Sequence, residues 1–226
     1  MFQELLYDAG LEMIVILLVS LSCVGLVRRC DPEEQVRIGV KEILSLFFVA
    51  LPAGMVDGLW AVRQGLLPTG LELGVISGCL CFACVTDLQI CKVYHFAWWP
   101  AGLAGVALWI EGTREPGTGL WISLFSLGLF TLAQQVLFPR LYGRADCHAF
   151  CICAMAEAAL GMGMREYLIH GTLAFLILSL HQGIRKNIGK RGRLKVPVPF
   201  LPYITMAYQI VLLAAFFGND CIFMRT

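Results

Sequence analysis

Long apolar runs, separated by short stretches that carry charges, Gly or Pro, dominate the sequence. A helix that crosses the hydrocarbon core of a bilayer needs about 20 apolar residues, with a range of roughly 17–25. Eight runs approach or reach this length. They cover 11–27, 43–62, 71–88, 96–111, 119–138, 147–163, 166–183 and 199–217. The pattern predicts an all-α, polytopic membrane protein with about eight transmembrane helices.

The composition agrees with this prediction. Of the 226 residues, 58% are hydrophobic and only 15% are charged, whereas about 25% are charged in an average soluble domain. The net charge of +1 and the lack of a basic arm or nucleic-acid motif give no case for binding nucleic acid. Membrane lipids are the expected surroundings.

Ten cysteines lie mostly within apolar runs, where the favoured interpretation is packing of small side chains. A metal or redox site built from Cys81 and Cys84 with Cys147 or Cys151 is the alternative. The sequence predicts no disulfide framework, no metal site and no cofactor.

The basic residues predict the orientation in the membrane, because cytoplasmic loops are enriched in Lys and Arg. If the N-terminus lies outside, thirteen of the seventeen Lys and Arg residues fall on the inner side. We therefore expect both termini outside.

Two aspartates stand at the edges of predicted spans. Asp87 closes the third span, and Asp146 opens the sixth. Two crossings lie between them, so both carboxylates are predicted at the cytoplasmic end. A carboxylate at the edge of hydrocarbon is costly, and a close pair can share one proton and activate water. The structural alternative is an interfacial or helix-capping role, which suits Asp146 in particular.

Three segments then resemble motifs of the type IV prepilin peptidases, which are intramembrane aspartyl proteases of the Gly-x-Gly-Asp type. The run from Cys84 to His95, which contains Asp87, is similar to their first aspartate motif. Gly143-Arg144-Ala145-Asp146 is similar to their Gly-x-Gly-Asp motif. Pro199-Phe200-Leu201-Pro202 is similar to the Pro-Phe-x-Pro segment that opens their last helix. The order and spacing agree over residues 71–217.

The resemblance implies an aspartic endopeptidase that cleaves the leader peptide of prepilin or pseudopilin precursors at the cytoplasmic face of a prokaryotic plasma membrane. It makes Asp87 and Asp146 catalytic. It also makes five residues site-shaping or substrate-binding, namely Gly143, Ala145, His148, Pro199 and Pro202.

The resemblance divides the chain into two N-terminal helices with a short charged cytoplasmic loop (1–70), a six-helix catalytic core (71–217) and a short tail (218–226). The loop between the first two spans, Arg28–Glu42, is too short for the methyltransferase insert that some family members carry. We therefore expect cleavage without methylation.

Other features leave two alternatives open. Val93-Tyr94-His95 stands in place of Ile-Pro-Asn, Ala145 in place of Gly, and His148 in place of Lys. These differences allow a catalytically impaired relative that binds pilin-type helices. Glu157 and Asp57 within spans, with a possible helix break at Pro52–Gly54, allow a small proton- or ion-coupled transporter.

Overall fold

The structure, a computed structural model, describes residues 2–30, 40–64, 67–112, 129, 136, 143–187 and 198–223. These residues form seven α-helices and one short 3-10 helix, His95–Ala97. The α-helices are α1 (Phe2–Cys30), α2 (Val40–Gln64), α3 (Leu67–Ile90), α4 (Trp98–Gly112), α5 (Arg144–Ala159), α6 (Met164–Asn187) and α7 (Leu201–Phe223). No strand occurs in the described part of the chain, so the predicted all-α class is confirmed.

Within the residues that the structure describes, five helices are long and apolar enough to cross a membrane, which indicates a membrane-embedded protein. Their candidate spans are Leu6–Cys30, Leu46–Arg63, Thr69–Ile90, Met164–Ile184 and Leu201–Gly218. The count of eight spans is not confirmed. The predicted span over 119–138 lies outside the described residues, apart from Leu129 and Val136.

Two predicted spans correspond to shorter helices. α4 has 15 residues and α5 has 16, or about 22–24 Å at 1.5 Å per residue, against a hydrocarbon core of about 30 Å. The predicted span over 147–163 was too long because it included an apolar turn. Gly161 in that turn has a φ of 81°, a left-handed conformation typical of glycine just after a helix.

Helix ends and the predicted break also differ from the apolar pattern. α1 begins at Phe2, before the predicted start at 11, and α7 continues to Phe223, past the predicted end at 217. Helix formation continues into polar flanks, whereas the apolar pattern stops there. Pro52 lies inside α2 without breaking it, since neighbouring helices let membrane helices tolerate proline.

α3 is the central helix. It contacts α1, α2, α4, α5 and α7, and it is apolar on all sides, as expected of a buried helix. Its cysteines Cys79, Cys81 and Cys84 are buried among apolar side chains. Their predicted packing role is confirmed.

Glycines on α2 allow α1 to approach closely. Gly54 and Gly58 share one face of α2 because they are four residues apart, a spacing of small residues that is common where membrane helices cross. A Cβ atom at Gly58 would lie 2.8 Å from the Cα and N atoms of Ala9, and one at Gly54 would lie 2.9 Å from the N atom of Met13. The backbones of α1 and α2 therefore touch.

α3 presents a similar glycine face to α1. Gly70 and Gly74 both lie against the carboxyl group of Glu12, and a Cβ atom at Gly78 would lie 2.8 Å from the Cβ atom of Val19. The Glu12 side chain is buried, at 2% exposure, in the space that the missing side chains leave. α1 is thus held between two glycine faces.

We expect Gly58→Ala to lower the free energy of unfolding by about 1–3 kcal/mol, the usual cost of overpacking. The new Cβ atom would meet backbone atoms of Ala9, which cannot rotate away. Denaturation in detergent micelles measures the effect. Gly25→Ala is the matched control because its Cβ atom would meet nothing within 4 Å. Equal stability of the two variants would contradict the close crossing.

Candidate active site

The C-terminal end of α3 places Asp87 next to a sharp change of chain direction. Asp87 lies three residues before the last residue of α3, Ile90. Cys91 follows with a φ of 51°, and its N–H donates to the carbonyl oxygen of Asp87 at 3.0 Å. A left-handed residue of this kind ends a helix. The chain then passes through the 3-10 helix into α4.

The Asp87 carboxylate binds the start of α7. The N–H of Leu201 donates to Asp87 Oδ2 at 3.1 Å, and the N–H of Phe200 faces the same carboxylate. The first N–H groups of a helix have no partner within the helix. Pro202, the second residue of α7, has no N–H at all. Asp87 therefore caps α7 from a different helix, although 114 residues separate it from Leu201.

Pro199 and Pro202, two predicted site-shaping residues, thus lie where α7 begins. Both are half-buried. Proline fixes its own φ and disfavours a helical conformation in the residue before it. Pro199 precedes the helix and Pro202 lies in its first turn. The segment therefore sets where α7 begins, and with it the position of the N–H groups that face Asp87.

Asp146 is the third residue of α5, and Gly143 precedes the helix. The N–H of Gly143 donates to Asp146 Oδ2 at 3.0 Å. Asp146 therefore caps the helix, as the structural alternative expected, but it does so from inside the first turn. Its carboxylate accepts a hydrogen bond from the residue that precedes the helix. A Cβ atom at Gly143 would lie 3.1 Å from Asp146 Oδ2. A larger residue at 143 would crowd the carboxylate.

Ala145 occupies the second position of α5. Cys91 is the one non-glycine residue with positive φ in the described ranges, so Ala145 has no left-handed backbone that would require glycine. The exchange of Gly for Ala at this position is compatible with an ordinary helix start.

The two carboxylates interact electrostatically. Burial raises the pKa of Asp146 to about 6; the N–H of Gly143 acts against this shift and the nearby charge of Asp87 adds to it. Asp146 lies outside the five candidate spans. Because α3, α5 and α7 contact one another, the structure brings Asp87, Asp146 and the start of α7 together at one end of the helix bundle. Two interacting carboxyls titrate as a pair.

His148, two residues after Asp146 in α5, contacts two aromatic neighbours. Its ring stacks on Trp98 at a centroid distance of 6.2 Å and meets the edge of His95 at 5.8 Å. His148 Nδ1 is 2.6 Å from the carbonyl oxygen of Arg144, so Nδ1 carries the hydrogen. His95 and His148 therefore contact each other across the 3-10 helix and α5.

Some contacts between α3 and α7 could not be predicted from the sequence. The Pro-Phe-x-Pro segment indicates a helix start, but nothing in it shows that Asp87 would cap that helix. Cys84 Sγ lies 3.1 Å from Thr205 Oγ1, a second polar contact between α3 and α7. Among the residues that the structure describes, no three His, Cys, Asp or Glu side chains are placed to hold a metal ion.

Comparison with protein-family models, with curated proteins and with solved structures finds no match to this chain.

We expect Asp146→Asn to be more stable than the parent at pH 8, by on the order of 1 kcal/mol after solvent screening, and to match it near pH 4. The raised pKa means that the folded parent binds its proton more tightly than the unfolded chain does. The stability from this proton is present below about pH 4 and is lost as pH rises through about 6. Thermal unfolding in detergent across this range measures the difference.

Glu166→Gln is the matched control for this titration. Glu166 is the third residue of α6, and its carboxylate accepts the N–H of Gly163 at 2.9 Å, the same arrangement as in α5. The effect of Glu166→Gln shows how much stability is lost when the charge of such a cap is removed. A difference between Asp146→Asn and the parent that does not vary from pH 4 to pH 8 would contradict the raised pKa of Asp146.

Proposed function

We propose that the chain is an intramembrane aspartyl endopeptidase that cleaves the leader peptide of type IV prepilin-like precursors at the cytoplasmic membrane face. The observation that carries the proposal is the effect of the Asp87 charge on Asp146, which are both at one end of the bundle. The two residues are 59 positions apart, and each is the aspartate of a segment that resembles a prepilin-peptidase motif. The start of α7, which resembles the third motif, binds one of them.

The pair supplies the groups that hydrolysis of a peptide bond needs. One ionised carboxylate takes a proton from the attacking water, while the protonated partner polarises the scissile carbonyl. The leaving amine then receives a proton from the pair. Burial raises the pKa of Asp146 to about 6, and the charge of Asp87 adds to this shift. This supports a pair that keeps a proton to a higher pH than ordinary aspartates do. The reaction as proposed uses no metal and no cofactor.

The position of the pair suits a helical substrate cut at the membrane edge. Asp87 lies at the end of a candidate span, and the residues that follow it, including Cys91 and Lys92, are exposed. Water can reach this end without crossing hydrocarbon. We propose prepilin or pseudopilin precursors as the substrates, with the leader on the cytoplasmic side and the apolar segment in the bilayer.

We expect Asp87→Asn and Asp146→Asn each to abolish cleavage of a co-expressed prepilin, with a loss of at least about 1,000-fold. Asn keeps the size of the side chain and can still accept the backbone N–H, but it cannot hold or transfer the proton. The loss of leader mass from the precursor, followed by mass spectrometry, measures cleavage.

Asp57→Asn is the matched control for these two variants. Asp57 is a fully buried aspartate of α2. Exchange of this residue for Asn leaves both Asp87 and Asp146 in place. Cleavage that persists in Asp87→Asn or Asp146→Asn would refute the proposed pair. A parent that binds the precursor without cutting it would instead support the catalytically impaired relative.

We also expect the site to face the cytoplasm, because thirteen of the seventeen basic residues lie on that side in the predicted topology. Cysteines introduced at exposed positions 89 and 144, in a background without other reactive cysteines, should react with an impermeant maleimide only after the cells are opened. A cysteine at exposed position 165 is the control for the opposite side. Labelling of 89 or 144 in intact cells would overturn the sidedness.

The alternative of a proton- or ion-coupled transporter is favoured by one observation, the complete burial of Asp57 and Glu157. Ser77 and Gln209 face the Asp57 carboxyl, and Gln209 Nε2 donates to Ser77 Oγ at 3.2 Å. The continuous α2 lacks the break that such folds use. Loss of an ion flux in Asp57→Asn, with precursor cleavage absent from the parent, would favour transport.

A further inference from the structure

Glu157 of α5 and His170 of α6 form a buried pair that the proposed chemistry does not use. Glu157 Oε1 and His170 Nδ1 are 2.8 Å apart, and both side chains are fully inaccessible. Polar groups are costly to bury unless they satisfy each other. The rings of Phe150, Tyr167 and Tyr208 surround His170 at centroid distances of 5.3, 6.3 and 6.0 Å. The orientation of the imidazole is therefore fixed by packing as well as by Glu157.

The other nitrogen of His170 reaches a third helix. His170 Nε2 is 3.0 Å from the carbonyl oxygen of Ile204 in α7. A carbonyl oxygen only accepts, so Nε2 carries the hydrogen. Nδ1 then faces Glu157 Oε1. One imidazole thus links α5, α6 and α7.

This link connects the two halves of the candidate active site. α5 carries Asp146, eleven residues before Glu157. α7 begins at Leu201, three residues before Ile204, and the N–H of Leu201 binds Asp87. The pair therefore joins the helix that bears one aspartate to the helix start that holds the other.

Packing alone leaves α5 and α6 loosely connected. α6 packs much more against α7 than against α5, and the turn between α5 and α6 contains the left-handed Gly161. The contact of Glu157 with His170 is a directional connection between these two helices. Loss of this contact would weaken the connection of α6 and α7 to α5 while most of the apolar core remained buried.

We propose that Glu157 and His170 are positioning residues that fix the start of α7, and with it the Asp87 carboxylate, relative to Asp146. The proposal rests on the proposed function only for its effect on cleavage. Its geometric part concerns the distance between α5 and the start of α7 and stands without any assumption about chemistry.

The test uses the full chain with nitroxide labels at 144 and 198, one at the start of α5 and one just before α7. The double variant Glu157→Met with His170→Leu replaces the pair by apolar side chains, an exchange that often leaves stability unchanged or raised. We expect its melting temperature to stay at or above that of the parent. We expect the distance distribution between the labels to shift or broaden by about 1 Å or more, a displacement that can cost about 100-fold in rate.

Two single variants complete the comparison. Glu157→Gln keeps the size of the side chain and its close approach to Nδ1, while Nε2–H stays on Ile204, so it should keep the parental distance. Gly171→Ala, also on α6, adds a Cβ atom that meets nothing within 4 Å and should change nothing. In cleavage assays the double variant should lose about 10- to 100-fold in kcat, with KM within about twofold.

The outcomes separate the two proposals. An unchanged distance and an unchanged kcat in the double variant would refute the positioning role and leave the aspartate pair standing. A changed distance with no cleavage by the parent would refute the peptidase and leave the positioning role standing. A distance change in Glu157→Gln equal to that of the double variant would show that a polar side chain of this size at 157 does not hold α7 in place, and would also overturn the proposal.

Discussion

The bond from the Leu201 N–H to the Asp87 carboxylate is the interaction on which the arrangement at this end of the bundle depends. It satisfies a helix start that has no partner of its own, and it fixes a carboxylate at the end of the central helix. Without it, the buried carboxylate and the first N–H groups of the helix would lack this hydrogen-bond partner. Each buried polar group without a partner costs about 1–3 kcal/mol. The ends of α3, α5 and α7 lie together where this hydrogen bond forms.

Away from this end, the bundle depends on backbone proximity. Glycines on α2 and α3 bring α1 against both helices, and the polar groups inside pair between helices, as with Glu157 and His170. Lipid tails are as apolar as leucine, so close packing and internal hydrogen bonds stabilise helix contacts in a membrane. The same glycines leave room for the buried carboxyl group of Glu12.

The apolar runs were sufficient to predict the all-α class, and counting crossings between Asp87 and Asp146 was sufficient to expect them at one end. The predicted span over 147–163 ran past the end of α5 because hydropathy does not distinguish an apolar turn such as Leu160–Gly163 from a continuing helix. The partner of Asp87 could not be predicted for a different reason. Every residue except proline has an N–H group, so a main-chain donor leaves no mark in the sequence.

Main-chain donors have an evolutionary consequence. Asp87 and Asp146 are each held by a backbone N–H, from Leu201 and Gly143. Substitution of a neighbouring side chain leaves such a donor in place, and only proline removes it. Side chains around the pair can therefore change while the orientation of the two acids persists. Sequence similarity can fade at such a centre well before its geometry does.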